Sequence, residues 1–272
     1  AYGPMPAALI RALPRPPVAL CHHPLALETG LDAASAAQLH ASETAALALA
    51  AHVIVTSGAT KRTLVAEFGV PAAKVTVATP GLDRAPPARG GPGAPLILSV
   101  GALTPRKDHE TLLAALGSLD PGLDWRCAIA GPTHFSPETA ARVRAAATPF
   151  GARVRLCGAL PRPALDSLFD EAAIFALASR YEGYGMVFGE AMMRGLPIVA
   201  CRAGAAPEVV PEAAGFLAPP GDAASIAAAL DALLRDVAKR AGMGRAARAH
   251  ALSMPDWRDT WAKVRAALEA AS

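Results

Sequence analysis

The sequence predicts an α/β protein with parallel sheets, folded as two lobes of which the first is incomplete. Three observations predict it. From Pro16 onward, short apolar runs alternate with longer stretches of 3.6-residue periodicity, the signature of βαβ units. Runs such as Pro95–Val100 and Ala172–Ser179 are apolar on both faces, as strands covered by helices on both sides must be. The stretch Pro80 to Pro95, PGLDRAPPARGGPGAP, is rich in Pro and Gly, has no periodicity and divides the chain.

Three strands are read before that break: Val18–Cys21, His52–Thr56 and Lys74–Ala78. Six follow it: Leu96–Val100, Trp125–Ala130, Arg153–Cys157, Ile174–Ala178, Pro197–Ala200 and Gly215–Leu217. Helical periodicity fills the gaps at Ala34–Ala50, Gly58–Phe68, Lys107–Leu119, Pro137–Ala147, Arg162–Asp170 and Met186–Arg194. Ile226–Ala271 reads as almost wholly helical, with Pro255 placed to start the last helix.

The predicted organisation is therefore a remnant of a Rossmann-like lobe at 1–80 and a linker or hinge at 81–95. A complete Rossmann-like domain follows at 96–254, then a final helix at 255–272. A doubly wound lobe normally has about six strands, so three before the linker imply that opening strands are absent. With no Met at position 1, the chain is read as a fragment or a trimmed product.

Composition narrows the function. The 272 residues carry 26 basic and 23 acidic side chains, an excess too small to call for nucleic acid or an anionic membrane. Arg142, Arg144, Arg153 and Arg155 are scattered without interleaved aromatics and read as a solvated face. The Arg- and Ala-rich segment Arg235–Leu252 has a weak apolar face; a packed or surface helix is expected, with at most peripheral membrane contact. Apolar residues make up 53% and aromatics 5%, so the core must be aliphatic. Cys21, Cys127, Cys157 and Cys201 form no CxxC pair, sit in or beside strand-like runs, and point to a reduced, cytoplasmic setting. The N-terminus has no signal-peptide layout. The longest apolar candidate for a membrane span, Ala45–Val55, is too short and contains His52.

In open parallel sheets ligands bind beyond the carboxyl ends of strands, so the residues after each strand carry the argument. After Leu96–Val100, Gly101 permits a tight turn, Thr104 is placed as an N-cap and Pro105 as the first helical residue. Arg106 and Lys107 then fall in the first helical turn, where cations oppose the helix dipole unless an anion such as phosphate compensates. The alternative is a capped surface helix with two solvated charges.

After Ile174–Ala178 comes SRYEGYGMVFGEAM, with Glu182 on the loop and Glu190 on the helix beginning near Gly185. Gly183 and Gly185 leave backbone N–H groups open at that helix start, where a diphosphate could rest while carboxylates hold sugar hydroxyls. Glu208, after Gly204, reads as a first-turn acid or as a ligand contact. His22 and His23 follow the first strand. Adjacent histidines point in different directions, so a shared metal is not expected; either is a candidate hydrogen-bond donor to a ligand.

These stretches, SVGALTPRKDH, SRYEGYGMVFGEAMMRGLPIVA, GAAPEVV and AGFLAPPGD, resemble in order and spacing the donor domain of family 4 retaining glycosyltransferases. CHHPLALETG resembles the end of that family's N-terminal, acceptor-side lobe. The resemblance implies the GT-B architecture of two Rossmann-like lobes. It implies that Gly101, Arg106 and Lys107 grip the diphosphate of a UDP- or GDP-linked sugar. Glu190 would bind the ribose and Glu182 the sugar hydroxyls. Backbone at Gly185, Met186, Val187 and Phe188 would meet the phosphates and sugar, and the loop Leu156–Leu160 would border the base. His22 or His23 would approach the sugar, and the final helix, anchored by Trp257 and Trp261, would cross back to the first lobe. Many members carry Arg directly after the first Gly; Ala102 stands there here, which leaves the phosphate charge to Arg106 and Lys107.

The reaction so implied is metal-independent, cofactor-free glycosyl transfer with retention, to a glycan or lipid-linked hydroxyl. Three rival readings stand beside it. A non-catalytic nucleotide-sugar-binding module would follow from the missing acceptor half. An NAD-dependent oxidoreductase should show GxGxxG after a strand, and none does. A scaffold protein would explain the helical tail but not the glycine loops.

Overall fold

The computed structural model describes residues 5–271, so the first four residues of the predicted N-terminal remnant and Ser272 lie outside it. All nine runs read as strands are strands. The chain gathers into two compact units: one built from residues up to Asp83 with Glu182–Tyr184 and the segment from Pro255, the other from Arg84–Tyr181 and Gly185–Met254.

In the first unit, β1 (Val18–Cys21), β2 (His52–Val55) and β3 (Val75–Val77) form a parallel sheet in the order β1-β2-β3. A short helix α1 (Ala7–Arg11), which the sequence did not announce, buries Ile10. Helix α2 (Ala33–Ala48) starts at Asp32, whose carboxylate accepts from Ser35 N at 2.8 Å, and α3 (Gly58–Glu67) starts at Ser57, whose hydroxyl accepts from Thr60 N at 3.0 Å. Both side chains satisfy N–H groups that a helix start leaves open. Leu47, Val53, Val55, Leu64, Phe68 and Val75 make the core.

The last helix, here α11 (Trp257–Ala270; α4 to α10 follow in the second unit), corrects two expectations. Its N-cap is Asp256, in a reciprocal capping box with Asp259, and Pro255 lies just outside the helix. Its anchors are not the tryptophans, since Trp257 is 38% and Trp261 63% exposed. Thr260, Val264 and Ala267, spaced four and three apart, form the stripe that faces the sheet beside Ile54 and Ala78. Thr260 Oγ1 also donates to Thr79 O at 2.7 Å. The two indoles fall just off that stripe.

The second unit holds a fully parallel sheet of β4 (Leu96–Val100), β5 (Arg126–Ala130), β6 (Val154–Gly158), β7 (Ala172–Leu177), β8 (Ile198–Cys201) and β9 (Gly215–Ala218). Its order, β6-β5-β4-β7-β8-β9, is that of a doubly wound sheet. Side chains alternate across it, and both faces are covered. Ile97, Ile129 and Ile174 meet Leu112 and Leu116 of α4 (His109–Gly117), Val143 of α5 (Pro137–Ala147) and Leu230 of α9 (Ala223–Arg235). On the other face Phe175 stacks on Phe169 of α6 (Arg162–Glu171) and meets Phe188 of α7 (Met186–Met193) edge-on, with centroids 6.2 and 6.0 Å apart. A four-residue helix α8 (Ala206–Val209) precedes β9, and α10 (Val237–Ser253) packs on α7.

The segment read as a linker or hinge forms, from Arg84 on, a strap fastened to the second unit. Ala88 N donates to Arg194 O at 2.8 Å, Gly90 N to Asp170 O at 2.9 Å and Gly91 N to Glu171 O at 2.9 Å. These carbonyls lie at the C-terminal ends of α6 and α7, which a helix cannot satisfy internally. Pro and Gly prevent regular structure in the strap, but its remaining N–H groups supply what those helix ends lack. Arg153 likewise leaves the solvated face assigned to it. It is half-buried, stacks 4.0 Å over the Trp125 ring and donates to Leu123 O at 2.6 Å. Arg142 and Arg144 on α5 and Arg155 on β6 are exposed, as expected. Within Arg235–Leu252, Arg240 donates to Leu233 O at 2.6 Å and Arg248 to Ala85 O at 3.0 Å, so these guanidiniums serve backbone carbonyls.

Candidate functional site

Strand order in the second unit reverses between β4 and β7: the chain after β4 runs outward to β5 and β6, and the chain after β7 to β8 and β9. A ligand crevice is expected beyond the carboxyl ends of the strands at such a reversal. The loops leaving these two adjacent strands are those the sequence singled out.

The loop after β4 is set by glycines. Gly101 N donates to Ala130 O at 2.9 Å, and Gly131 N donates to Gly158 O at 2.8 Å. A methyl group at Gly131 would overlap the carbonyl of Gly101, and Gly158 is left-handed at φ 65°. The carboxyl ends of β4, β5 and β6 are thus knitted at backbone distance, which side chains would prevent. A Cβ at Gly101 would stand 3.2 Å from Lys107 Cδ, so the lysine stem lies across that glycine.

Arg106 and Lys107 are not in the first turn of the helix, which corrects the expected boundary at Lys107. Thr104 and Pro105 open a separate 3₁₀ turn, Pro105–Lys107, and α4 begins only at His109. Between them Asp108 takes φ 47°, ψ 47° and caps α4, its carboxylate accepting from Thr111 N at 3.3 Å and Thr111 Oγ1 at 2.8 Å. The predicted opposition between these cations and their own helix dipole therefore does not arise. Asp108, a capping residue just before HETLL, was the available signal for the true start.

The loop after β7 locks onto this turn. Arg180 N donates to Arg106 O at 2.8 Å, Arg106 Nη1 donates to Tyr181 O at 3.1 Å, and Arg180 Nε stands 2.9 Å from Asp108 Oδ2. Nothing in the sequence around Arg180 announced this. Gly185, at φ 87°, forms the start of α7, which no side chain caps, and Phe188 N donates to Gly185 O at 2.9 Å. The Phe188 side chain is in the core, leaving its backbone, with that of Met186 and Val187, at the helix start. Glu190 lies on α7 and pairs with Arg162 Nη1 of α6 at 3.3 Å. Leu160 is half-buried beyond β6, and Glu208 is exposed on the first turn of α8.

Gly101, Arg106, Lys107, Leu160, Gly185–Phe188 and Glu190 thus lie in the second unit, and His22, His23 and Glu182 in the first. There, His22 is exposed and its carbonyl lies where a Gly183 side chain would stand. His23 Nε2 is 3.7 Å from Glu28 Oε2, and Glu182 is buried. The segment after the histidines is held by a residue the sequence reading missed. The buried Glu43 accepts from Leu25 N at 2.9 Å and Ala26 N at 2.8 Å. An acid in the middle of an Ala-rich helix gives no outward sign of facing inward.

Two electrostatic features bear on chemistry. Burial pushes the thiols of Cys21 and Cys127 up to about 12 and that of Cys201 to about 11, so these three are thiols rather than nucleophiles at neutral pH. Burial, with a smaller contribution from Lys107, pushes His109 down to about 4, so a neutral imidazole stands directly behind the cationic turn. Among the described residues no three His, Cys, Asp or Glu side chains gather as metal ligands, and no helix is long and apolar enough to cross a membrane.

With this geometry in place, the comparisons with known proteins are specific. Residues 88–250 match the family described as glycosyl transferases group 1, and residues 1–85 match glycosyltransferase family 4. The chain is 31% identical over 180 residues to a sulfoquinovosyl transferase of Arabidopsis thaliana, an overlap of 65% of this chain and 33% of that protein. It is 34% identical over 192 residues to a D-inositol 3-phosphate glycosyltransferase of Corynebacterium efficiens, covering 66% of this chain and 45% of that one. The chain therefore spans a third to a half of the length of these curated relatives. Among solved structures, Anabaena HepE in complex with UDP and glucose superposes with a TM-score of 0.80 at 22% identity, over 94% of this chain and 72% of that one.

Proposed function

The chain belongs to the glycosyl transferases of group 1, and from that premise we propose that it binds a nucleotide-diphosphate sugar and serves its transfer to a hydroxyl acceptor. One observation carries the reading: the Arg106–Lys107 turn and the uncapped start of α7 stand at the carboxyl ends of the paired strands β4 and β7. Two cations and a helix N-terminus at one switch point suit a diphosphate.

On this proposal Gly101 allows the phosphates close to the backbone, and Arg106, Lys107 and the N–H groups at Gly185–Phe188 hold their charge. Negative charge grows on the diphosphate as the glycosidic bond breaks, so donors fixed in advance act on the transition state more than on the ground state. Fixed cations at the leaving group can fill the place of a metal ion, and metal-independent transfer follows as part of the proposal. Glu190 is assigned to the ribose, Leu160 to the edge of the base, and the sugar-side contacts to Glu182, His22 and His23. These assignments, and retention of configuration, rest on family resemblance. The UDP held by HepE supports UDP as the first probe, with GDP the alternative.

The test is isothermal titration of the full chain with UDP-glucose, GDP-mannose, UDP and GDP, each with and without EDTA. Saturable binding unaffected by EDTA is expected for one of the two bases. Absence of binding at millimolar concentration would refute the proposal, and binding abolished by EDTA would refute its metal-independent form.

A further inference from the structure

Asp108 is the one non-glycine residue with positive φ among the described residues. It stands between the two cations of the proposed phosphate turn and the helix that follows. A left-handed non-glycine residue is strained and persists where its surroundings over-determine it. Here the surroundings are identifiable. The Asp108 side chain is 8% exposed; it caps α4 through Thr111 N and Oγ1 and pairs with Arg180 Nε at 2.9 Å. Arg180 comes from the other switch-point loop, and its own backbone N–H holds Arg106 O. Its outer guanidinium nitrogens extend toward the left-handed Gly221 turn beyond β9; a Cβ there would lie 3.6 Å from Nη2. One side chain thus joins the loops after β4 and β7 and lies beside the turn after β9.

We propose that Arg180 is a positioning residue: by pairing with Asp108 it holds that residue left-handed and so fixes the Arg106–Lys107 turn across Gly101 for an anionic ligand. The inference rests on the reading of that turn as the diphosphate site. Without the pair, Asp108 relaxes toward ordinary φ, the 3₁₀ turn rotates, and the two cations lose their common aim. Arg180 is half exposed, so the ion pair itself contributes little to global stability. What it decides is local geometry.

The experiment is a double-mutant cycle of Arg180→Met and Asp108→Gly in the full chain, read by affinity for UDP and GDP in calorimetry. Glycine takes the left-handed conformation without a pin. The expected result is about a tenfold loss for Arg180→Met beside native Asp108, within the range of coupled contacts, and less than about twofold on the Asp108→Gly background. Equal losses on both backgrounds would mean that Arg180 touches the ligand itself, and would overturn the positioning role. So would no loss on either. If the unsubstituted chain binds neither nucleotide, the diphosphate reading falls and this inference with it. Circular dichroism and thermal melting establish folding, and Arg180→Ala, which likewise cannot pair with Asp108, repeats the cycle should the Met variant not fold.

Discussion

Gly131 leaves no room for a side chain against the carbonyl of Gly101: the loops after β5 and β4 touch backbone to backbone. Gly131→Ala is expected to destabilise the second unit by about 1–3 kcal/mol, the usual cost of overpacking, and to weaken donor binding by displacing Gly101. Gly117→Ala is the contrast. It lies at the end of α4, and its Cβ would meet only Phe150 at an ordinary 3.6 Å. That substitution should raise stability by about 0.5–1 kcal/mol. Urea denaturation of both variants checks the pair, and a neutral Gly131→Ala would show that the loops are not held in contact.

Lys107 and Arg106 should each matter for affinity. Lys107→Ala is expected to weaken UDP or GDP binding by about tenfold or more, as loss of a charge-assisted phosphate contact does. Arg106→Ala removes both a cation and the bond to Tyr181 O, so it should lower affinity and thermal stability together. The double variant should bind more weakly than either. Calorimetry alongside thermal melts distinguishes these outcomes, and full affinity in a folded double variant would dispose of the phosphate assignment.

Glu43→Ala should cost the first unit about 2–4 kcal/mol, because the N–H groups of Leu25 and Ala26 lose a charged acceptor inside the protein. Glu43→Gln keeps one acceptor oxygen and should cost less. Hydrogen exchange at Leu25 and Ala26 is the direct readout. Unchanged protection in Glu43→Ala would mean that the His22–Leu27 segment is held by other contacts.

His109 sets a pH window. Its folded value of about 4 lies below the ordinary 6.5 of an unfolded chain. Between those values the unfolded state binds the proton and the folded state does not, so stability is complete above about 6.5 and falls as pH drops toward 4. The slope is about 1.4 kcal/mol per pH unit for one such group. Asp120, Asp170 and Asp222, held below the ordinary carboxylate value by their hydrogen-bond partners, act only at still lower pH. Urea titrations at pH 7, 6, 5 and 4 on the chain and on His109→Leu check the assignment. Equal slopes in both would clear His109 of the effect.

The sequence reveals all nine strands, the parallel architecture and the two switch-point loops, because period, apolar runs and glycines are local properties of the chain. It did not determine which side chains these loops exchange. Arg180 meets Asp108 only because strand order places β7 beside β4, seventy-two positions away in number but adjacent in the sheet. The Pro/Gly strap and Glu43 were unreadable for the same reason: their partners are carbonyls and N–H groups of distant helix ends and turns, which carry no side-chain signal. Trp257 and Trp261 erred the other way, since large apolar side chains announce burial while the smaller Thr260 and Ala267 fit the space against the sheet. Periodicity fixes which elements form; only packing decides which polar group answers which.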